Sequence, residues 1–168
     1  MSYVIAIDVG IKNLGICAYD FVSNQIVHWD NVSLVHNGRY IPAHNVQYVK
    51  DFVWKHAELF EHCATLVIER QIRCNMRIIE AILHTLYADR CQVVNARCVK
   101  VHYGLSMRNY RANKQKAIEW ADEFVKHNPS VLRPPLVENY LSSGKKDDLA
   151  DALLLVMYYL DTYSNQLG

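Results

Sequence analysis

Asp8 lies inside the apolar run IAIDVGIKNLGICAY (residues 5–19), and Glu69 closes the short apolar run TLVIE (65–69). A third apolar run, in KKDDLADALLL (145–155), opens with Asp147, Asp148 and Asp151. A carboxylate among apolar neighbours is costly, and proteins keep one when it is paired or binds a metal. Asp148 and Asp151 are three apart and Asp147 and Asp151 four apart, so either pair shares one face of a helix. Like charges on one face repel, which implies a cation. Oxygen donors with no histidine or cysteine set nearby suit magnesium or manganese rather than zinc. Two such ions about 4 Å apart activate a water and stabilise the leaving oxygen of a phosphodiester. Plainer roles stay open for two of these acids. Asp147 at a helix start also serves the helix dipole, and Glu69 beside Arg70 also fits an ordinary ion pair.

The cations are grouped as well. Arg70, Arg73 and Arg77 follow Glu69 directly. Six Lys/Arg (Arg97, Lys100, Arg108, Arg111, Lys114, Lys116) and no acid lie between Arg97 and Ile118, whereas Gly144 to Asp161 holds four aspartates. A basic strip beside an acidic cluster is the pattern of a polyanion held against a cation site; a solvated surface loop is the alternative. Phosphate contacts by Arg70, Arg73, Arg77, Arg108, Arg111 and Lys116 would give affinity and salt dependence with little base readout. Tyr103 and Tyr110, interleaved with these charges, are able to stack on exposed bases, although such tyrosines more often simply pack.

Elements of regular structure must bring these groups together. Residues 3–8, 14–20 and 25–35 are rich in Val, Ile and aromatics and are separated by turn-like segments, which predicts three consecutive antiparallel strands. Helical spacing of apolar residues covers 43–62, with Pro42 suited to the start. A buried strand follows at 65–69, a helix at 75–89, a strand at QVVNA and a helix at 112–127. NPSVLRPP breaks the pattern before a last helix from about Lys145 to Tyr163. The order predicts an α/β domain with a five-stranded mixed sheet, in which strands one and four, each ending in a carboxylate, lie side by side in parallel.

The chain has 168 residues, 51% of them hydrophobic, and a net charge of +1, which fits one compact domain spanning 1–168. It shows no basic leader and no apolar span of membrane length, so the expected location is intracellular, neither secreted nor in a membrane. Five cysteines, an odd number without a C-x-x-C, fit neither a zinc ribbon nor a disulfide framework. A reducing compartment is expected.

IAIDVGIKNLGICAYD, LVIERQ and KKDDLADALLL, in this order, resemble the ribonuclease H-like resolvases, the superfamily of bacterial RuvC, and in particular the poxvirus-type Holliday junction resolvases. The resemblance runs from Ile5 to about Tyr163. It implies a ribonuclease H-like fold and a magnesium-dependent endonuclease that resolves four-way DNA junctions as a homodimer. Two Mg2+ ions per site would be held by Asp8, Glu69, Asp148 and Asp151, with Mn2+ able to substitute. It also aligns Lys114, in GLSMRNYRANKQKAIEW, with an active-site lysine, so the implied catalytic set is Asp8, Glu69, Lys114, Asp148 and Asp151. The doublet leaves Asp147 or Asp148 open as the ligand, and Lys116 competes with Lys114. For such a virus the location would be host cytoplasm. A YqgF-like RNA-processing nuclease of the same fold has a similar opening to DVGIKNLG and is the nearest rival. A sugar-kinase type ATPase needs two such domains, and a non-catalytic nucleic-acid binding module would not need the intact acid set. The apolar helices 75–89 and 151–163 are the candidate dimer faces.

Overall fold

A computed structural model describes residues 1–36, 38–107 and 109–163. Strands β1 (Tyr3–Asp8), β2 (Leu14–Asp20) and β3 (Gln25–Val32) form an antiparallel meander. A 3-10 turn (Pro42–His44) leads into α1 (Asn45–Lys55) and α2 (Ala57–Glu61). Strand β4 (Cys63–Glu69) and, after α3 (Cys74–Leu86), strand β5 (Cys91–Val94) add in parallel. The chain ends in α4 (Ala96–His102), α5 (Tyr110–His127), α6 (Pro134–Ser142) and α7 (Lys146–Thr162). The sheet order is β3-β2-β1-β4-β5, the five-stranded mixed sheet flanked by helices expected of the ribonuclease H-like fold.

Two apolar layers cover the sheet. Val4, Ala6 and Val67 join the layer under α5, α6 and α7, whereas Ile5, Ile7, Leu66 and Ile68 join the layer under α1, α2 and α3. Successive strand residues alternate between faces. The same alternation sends Asp8 and Glu69, the last residues of two adjacent parallel strands, to the α7 face.

Four elements depart from the sequence reading. The helix expected over 43–62 breaks at His56 (φ −111°, ψ 29°), whose Nδ1 lies 2.8 Å from the Phe52 carbonyl oxygen and so engages the backbone locally. Helix α4 falls where the sequence pattern assigns no element; the Asn95 side chain accepts from the Arg97 N–H at 2.8 Å and caps it. Pro134 and Pro135, expected as breakers, occupy the first turn of α6, where no intrahelical N–H bond is lost. Strand β3 ends at Val32, three residues short of the expected limit.

Candidate active site

Asp8 and Glu69 reach the same end of the sheet, at the C-termini of its two central parallel strands, because Ile7 pairs with Ile68 in parallel register. A tight turn follows Asp8, and Gly10 permits it: a Cβ there would lie 1.9 Å from the Asn13 carbonyl oxygen. On β2, Gly15 stands opposite Asp8. A Cβ on Gly15 would come within 2.4 Å of the Asp148 carbonyl oxygen, so the missing side chain lets the first turns of α7 settle against the strand beside Asp8. Trp29 fixes α7 from β3: its indole N–H donates to the Leu149 carbonyl at 2.8 Å, and its ring stacks on Tyr140 of α6 at 4.6 Å. Strand alternation, a glycine and a tryptophan thus bring Asp8, Glu69, Asp148 and Asp151 into one place.

These four acids line a cleft of about 950 Å³ together with Lys12, Asn13, Arg70, Arg73, Asn95, Arg97, Lys100, Tyr110 and Lys114. Burial, then Glu69, Asp151 and Asp148, push the Asp8 carboxyl well above the usual range, with Lys100 opposing. Burial and Asp151 raise Glu69 to about 7, again opposed by Lys100. Burial and Asp147 raise Asp148 to about 6. Each group is made a worse anion by its neighbours, which is the electrostatic state a divalent cation relieves.

Asp147 behaves differently. Burial would raise it, but a hydrogen bond from Lys114 Nζ and the charge of that ammonium hold it below the usual range. Its own helix position, one residue before Asp148, turns it out of the cleft lining. Lys114 lines the cleft and also lies 5.3 Å over the Tyr110 ring; Lys116 instead donates to Glu119 at 3.0 Å on the exposed side of α5. Of the expected phosphate contacts, Arg70 and Arg73 border the cleft. Arg77 lines a separate apolar groove along α3, Arg111 is exposed in the first turn of α5 and absent from the cleft lining, and Arg108 lies outside the described residues.

Lys100 is the residue the sequence reading missed. Its Nζ donates to Asp151 Oδ1, and both side chains are largely buried, at 15% and 19% exposed. It counted there only as part of a basic strip, because a seven-residue helix between β5 and a loop was not foreseen. The signal was Asn95, a capping residue directly after a strand.

Among the described residues no three His, Cys, Asp or Glu side chains stand close enough to hold an ion as they are. The donor set nevertheless fits a hard cation: carboxylate oxygens alone, mutually destabilised, with Asp151 engaged by a lysine that a competing cation can displace.

The family model described as poxvirus A22 protein matches residues 2–162. The chain belongs to that family. A search of curated protein sequences finds no match. Among solved structures, this A22-family chain is similar to the fowlpox virus Holliday junction resolvase, with 17% identity, a TM-score of 0.66, and 95% of this chain and 98% of that one covered. It is similar also to the fowlpox virus resolvase in complex with substrate Holliday junction DNA (15% identity, TM-score 0.68, coverage 95% and 97%). A third is Thermus thermophilus RuvC in complex with a Holliday junction substrate (12% identity, TM-score 0.54, coverage 98% of both chains). At these identities the likeness is one of fold.

Proposed function

We propose that this A22-family chain is a metal-dependent endonuclease that resolves four-way DNA junctions. The observation that carries it is the convergence of Asp8, Glu69, Asp148 and Asp151 from two strands and a helix at one end of the sheet, beneath a rim of arginines and lysines. Asp8, Glu69, Asp148 and Asp151 would hold magnesium, or manganese in its place, with two ions per site. Such ions, when bound, activate the attacking water and stabilise the leaving oxygen. The remaining steps fall to the protein's own cations. Arg70 and Arg73 at the rim hold phosphates, without reading base sequence. Lys114, braced by Asp147 and Tyr110, presents a fixed positive charge to the phosphate as negative charge develops on it.

A four-way junction is cut on two opposed strands, and two sites about a two-fold axis match its symmetry. The working unit we infer is therefore a homodimer. Residues Leu149, Ala150, Ala152 to Val156 and Tyr159 of α7 are buried within the chain and Met157, Tyr158 and Leu160 are partly covered, so that helix offers less apolar surface than α3. Helix α3 buries Ile79 and Leu83 but leaves Ile78 and Leu86 40% and 51% exposed along a groove of about 700 Å³. The exposed apolar residues of α3 favour that helix as the face of the dimer we infer. Among the described residues no helix is long and apolar enough to cross a membrane.

The test is a panel of four-way junction, three-way junction, linear duplex and structured RNA, each with magnesium and with chelator. Junction cleavage in paired, opposed nicks is expected. Preferential cleavage of structured RNA would replace this function with an RNA-processing one, and tight junction binding without cleavage would leave a binding module. Light scattering with and without junction checks assembly: a monomer in both samples would remove the dimer.

A further inference from the structure

After Glu69 the chain crosses the rim of the cleft as Arg70, Gln71, Ile72 and Arg73, and α3 begins at Cys74. Arg70, Ile72 and Arg73 are exposed. A four-residue rim of this kind would swing if only its ends were fixed. Three hydrogen bonds hold it. The Arg70 N–H donates to the Val94 carbonyl at 2.8 Å, which extends the β4–β5 ladder by one step. The Gln71 side-chain amide donates to the Glu69 carbonyl at 3.1 Å. The Gln71 backbone N–H donates to Glu80 Oε2 at 2.7 Å.

The third bond is the informative one. Glu80 belongs to α3, directly after buried Ile79 and three residues before buried Leu83, and it is half-buried itself. Among the described residues it makes no ion pair. A partly desolvated carboxylate without a cation is unfavourable unless a strong donor repays it. A backbone N–H facing a carboxylate is such a donor, and the bond is short, as charge-assisted bonds are. An alkyl side chain would suit the core-facing side of α3 better, so the acid is explained by the loop it holds.

We propose that Glu80 is a positioning residue of the nuclease centre. From α3 it fixes the segment from Glu69 to Arg73, so the Glu69 carboxylate and the Arg70 and Arg73 guanidinium groups keep one register against Asp8, Asp148 and Asp151. The register decides which phosphodiester of a bound strand reaches the acids. Ile72 lines both the cleft and the α3 groove, so the same bond ties the cutting edge to the helix face favoured for assembly. The inference rests on the junction-nuclease function proposed above for the consequence at the DNA, but not for the loop itself.

The experiment compares Glu80→Met, which removes the acceptor, with Glu80→Gln, which keeps an acceptor oxygen, and Glu80→Asp, which keeps the charge but shortens its reach. Three quantities are read: exchange of the Gln71 backbone amide, single-turnover cleavage rate against junction affinity, and cut position at nucleotide resolution. Loss of one hydrogen bond predicts about tenfold faster Gln71 exchange and about tenfold slower cleavage in Glu80→Met, with affinity nearly unchanged. The cuts spread to neighbouring phosphodiesters. Glu80→Gln restores all three, and Glu80→Asp falls between. Unchanged Gln71 exchange in Glu80→Met, or unchanged rate and cut position despite faster exchange, overturns the proposal. If Glu80→Met does not fold, Glu80→Asp decides by the same readouts. Should the wild-type chain cut no junction, the proposed function fails while the exchange measurement still decides whether Glu80 holds the loop.

Discussion

The floor of the cleft and its α5 wall treat the same two residue types in opposite ways. At the floor, Asp8, Glu69 and Asp151 share the Lys100 ammonium, and Asp8 and Glu69 are pushed up by burial and by the other acids. At the wall, Asp147 has the Lys114 ammonium as its direct partner and is held down. The floor carries more negative charge than its own cation balances; the wall is balanced. Unbalanced charge is what an imported cation would satisfy, and balanced charge is what keeps a lysine in one place. Asp147 and Asp148 are adjacent in sequence and fall on different sides of this division.

The largest effect is expected at the floor. Asp8→Asn and Asp151→Asn are each predicted to lower junction cleavage by more than about tenfold, while junction affinity stays level or rises because repulsion of phosphate is relieved. Gel-shift titration beside single-turnover cleavage measures both. Either variant cutting at more than about a tenth of the wild-type rate would mean that the acid set has been assigned wrongly.

Within the doublet the contrast becomes sharper. Asp148→Asn is expected to damage cleavage about tenfold more than Asp147→Asn, since one removes a floor acid and the other only loosens Lys114. Magnesium affinity measured by calorimetry follows the same order. The reverse order would move the ligand to Asp147 and abolish the distinction between floor and wall.

A smaller effect tests what the wall is for. Lys114→Ala is expected to slow single-turnover cleavage at saturating enzyme by about tenfold, with affinity little changed, if its charge acts on the reacting phosphate. A fall in affinity with an unchanged rate would reduce Lys114 to one more backbone contact.

The division between floor and wall was only half legible in the sequence. Asp8 and Glu69 could be placed because strand alternation and a parallel pairing are read from apolar runs, and those runs are long in β1 and β4. The D-x-x-D spacing brought Asp148 and Asp151 to one helix face, but equally allowed Asp147, because i,i+3 and i,i+4 are both neighbours on a helix. What separates them is the rotation of α7 on the sheet, set by the absent side chain of Gly15 and by the Trp29 bond to Leu149. Those are contacts between β2 or β3 and a helix more than a hundred residues later, and no local pattern encodes them. Lys100 was hidden for a related reason. A short helix with one buried residue, Val99, has too little periodicity to announce itself, yet it carries the cation of the floor. Likewise α3 and α7 both read as apolar helices, and only packing shows that α7 is largely consumed by the core while α3 keeps an exposed face.

The smallest effect concerns stability, and its sign separates the two regions. Burial and neighbouring acids raise Glu69 from 4.5 to about 7 and Asp148 from 3.8 to about 6. Between those limits the folded chain binds protons that the unfolded chain has released, so folding is favoured at the acid end. The contribution is complete below the ordinary values and is lost as pH rises through about 6 and 7. Asp147 and Asp20 run the other way: Asp20 is desolvated but held down by the Val22, Ser2 and Ser23 donors. Their contribution is present above 3.8 and fails only as pH falls through their lowered values, outside this window. In chelator, therefore, Glu69 and Asp148 are expected to lower the midpoint of thermal unfolding by a few degrees as pH rises from about 4.5 to 7. Magnesium binds the ionised carboxylates, so its stabilisation grows over the same range and offsets the fall. Glu69→Gln and Asp148→Asn should each flatten the slope in chelator, and Asp147→Asn should not. A slope that Asp147→Asn changes and Asp148→Asn and Glu69→Gln leave intact would show that the floor acids are not the strained set.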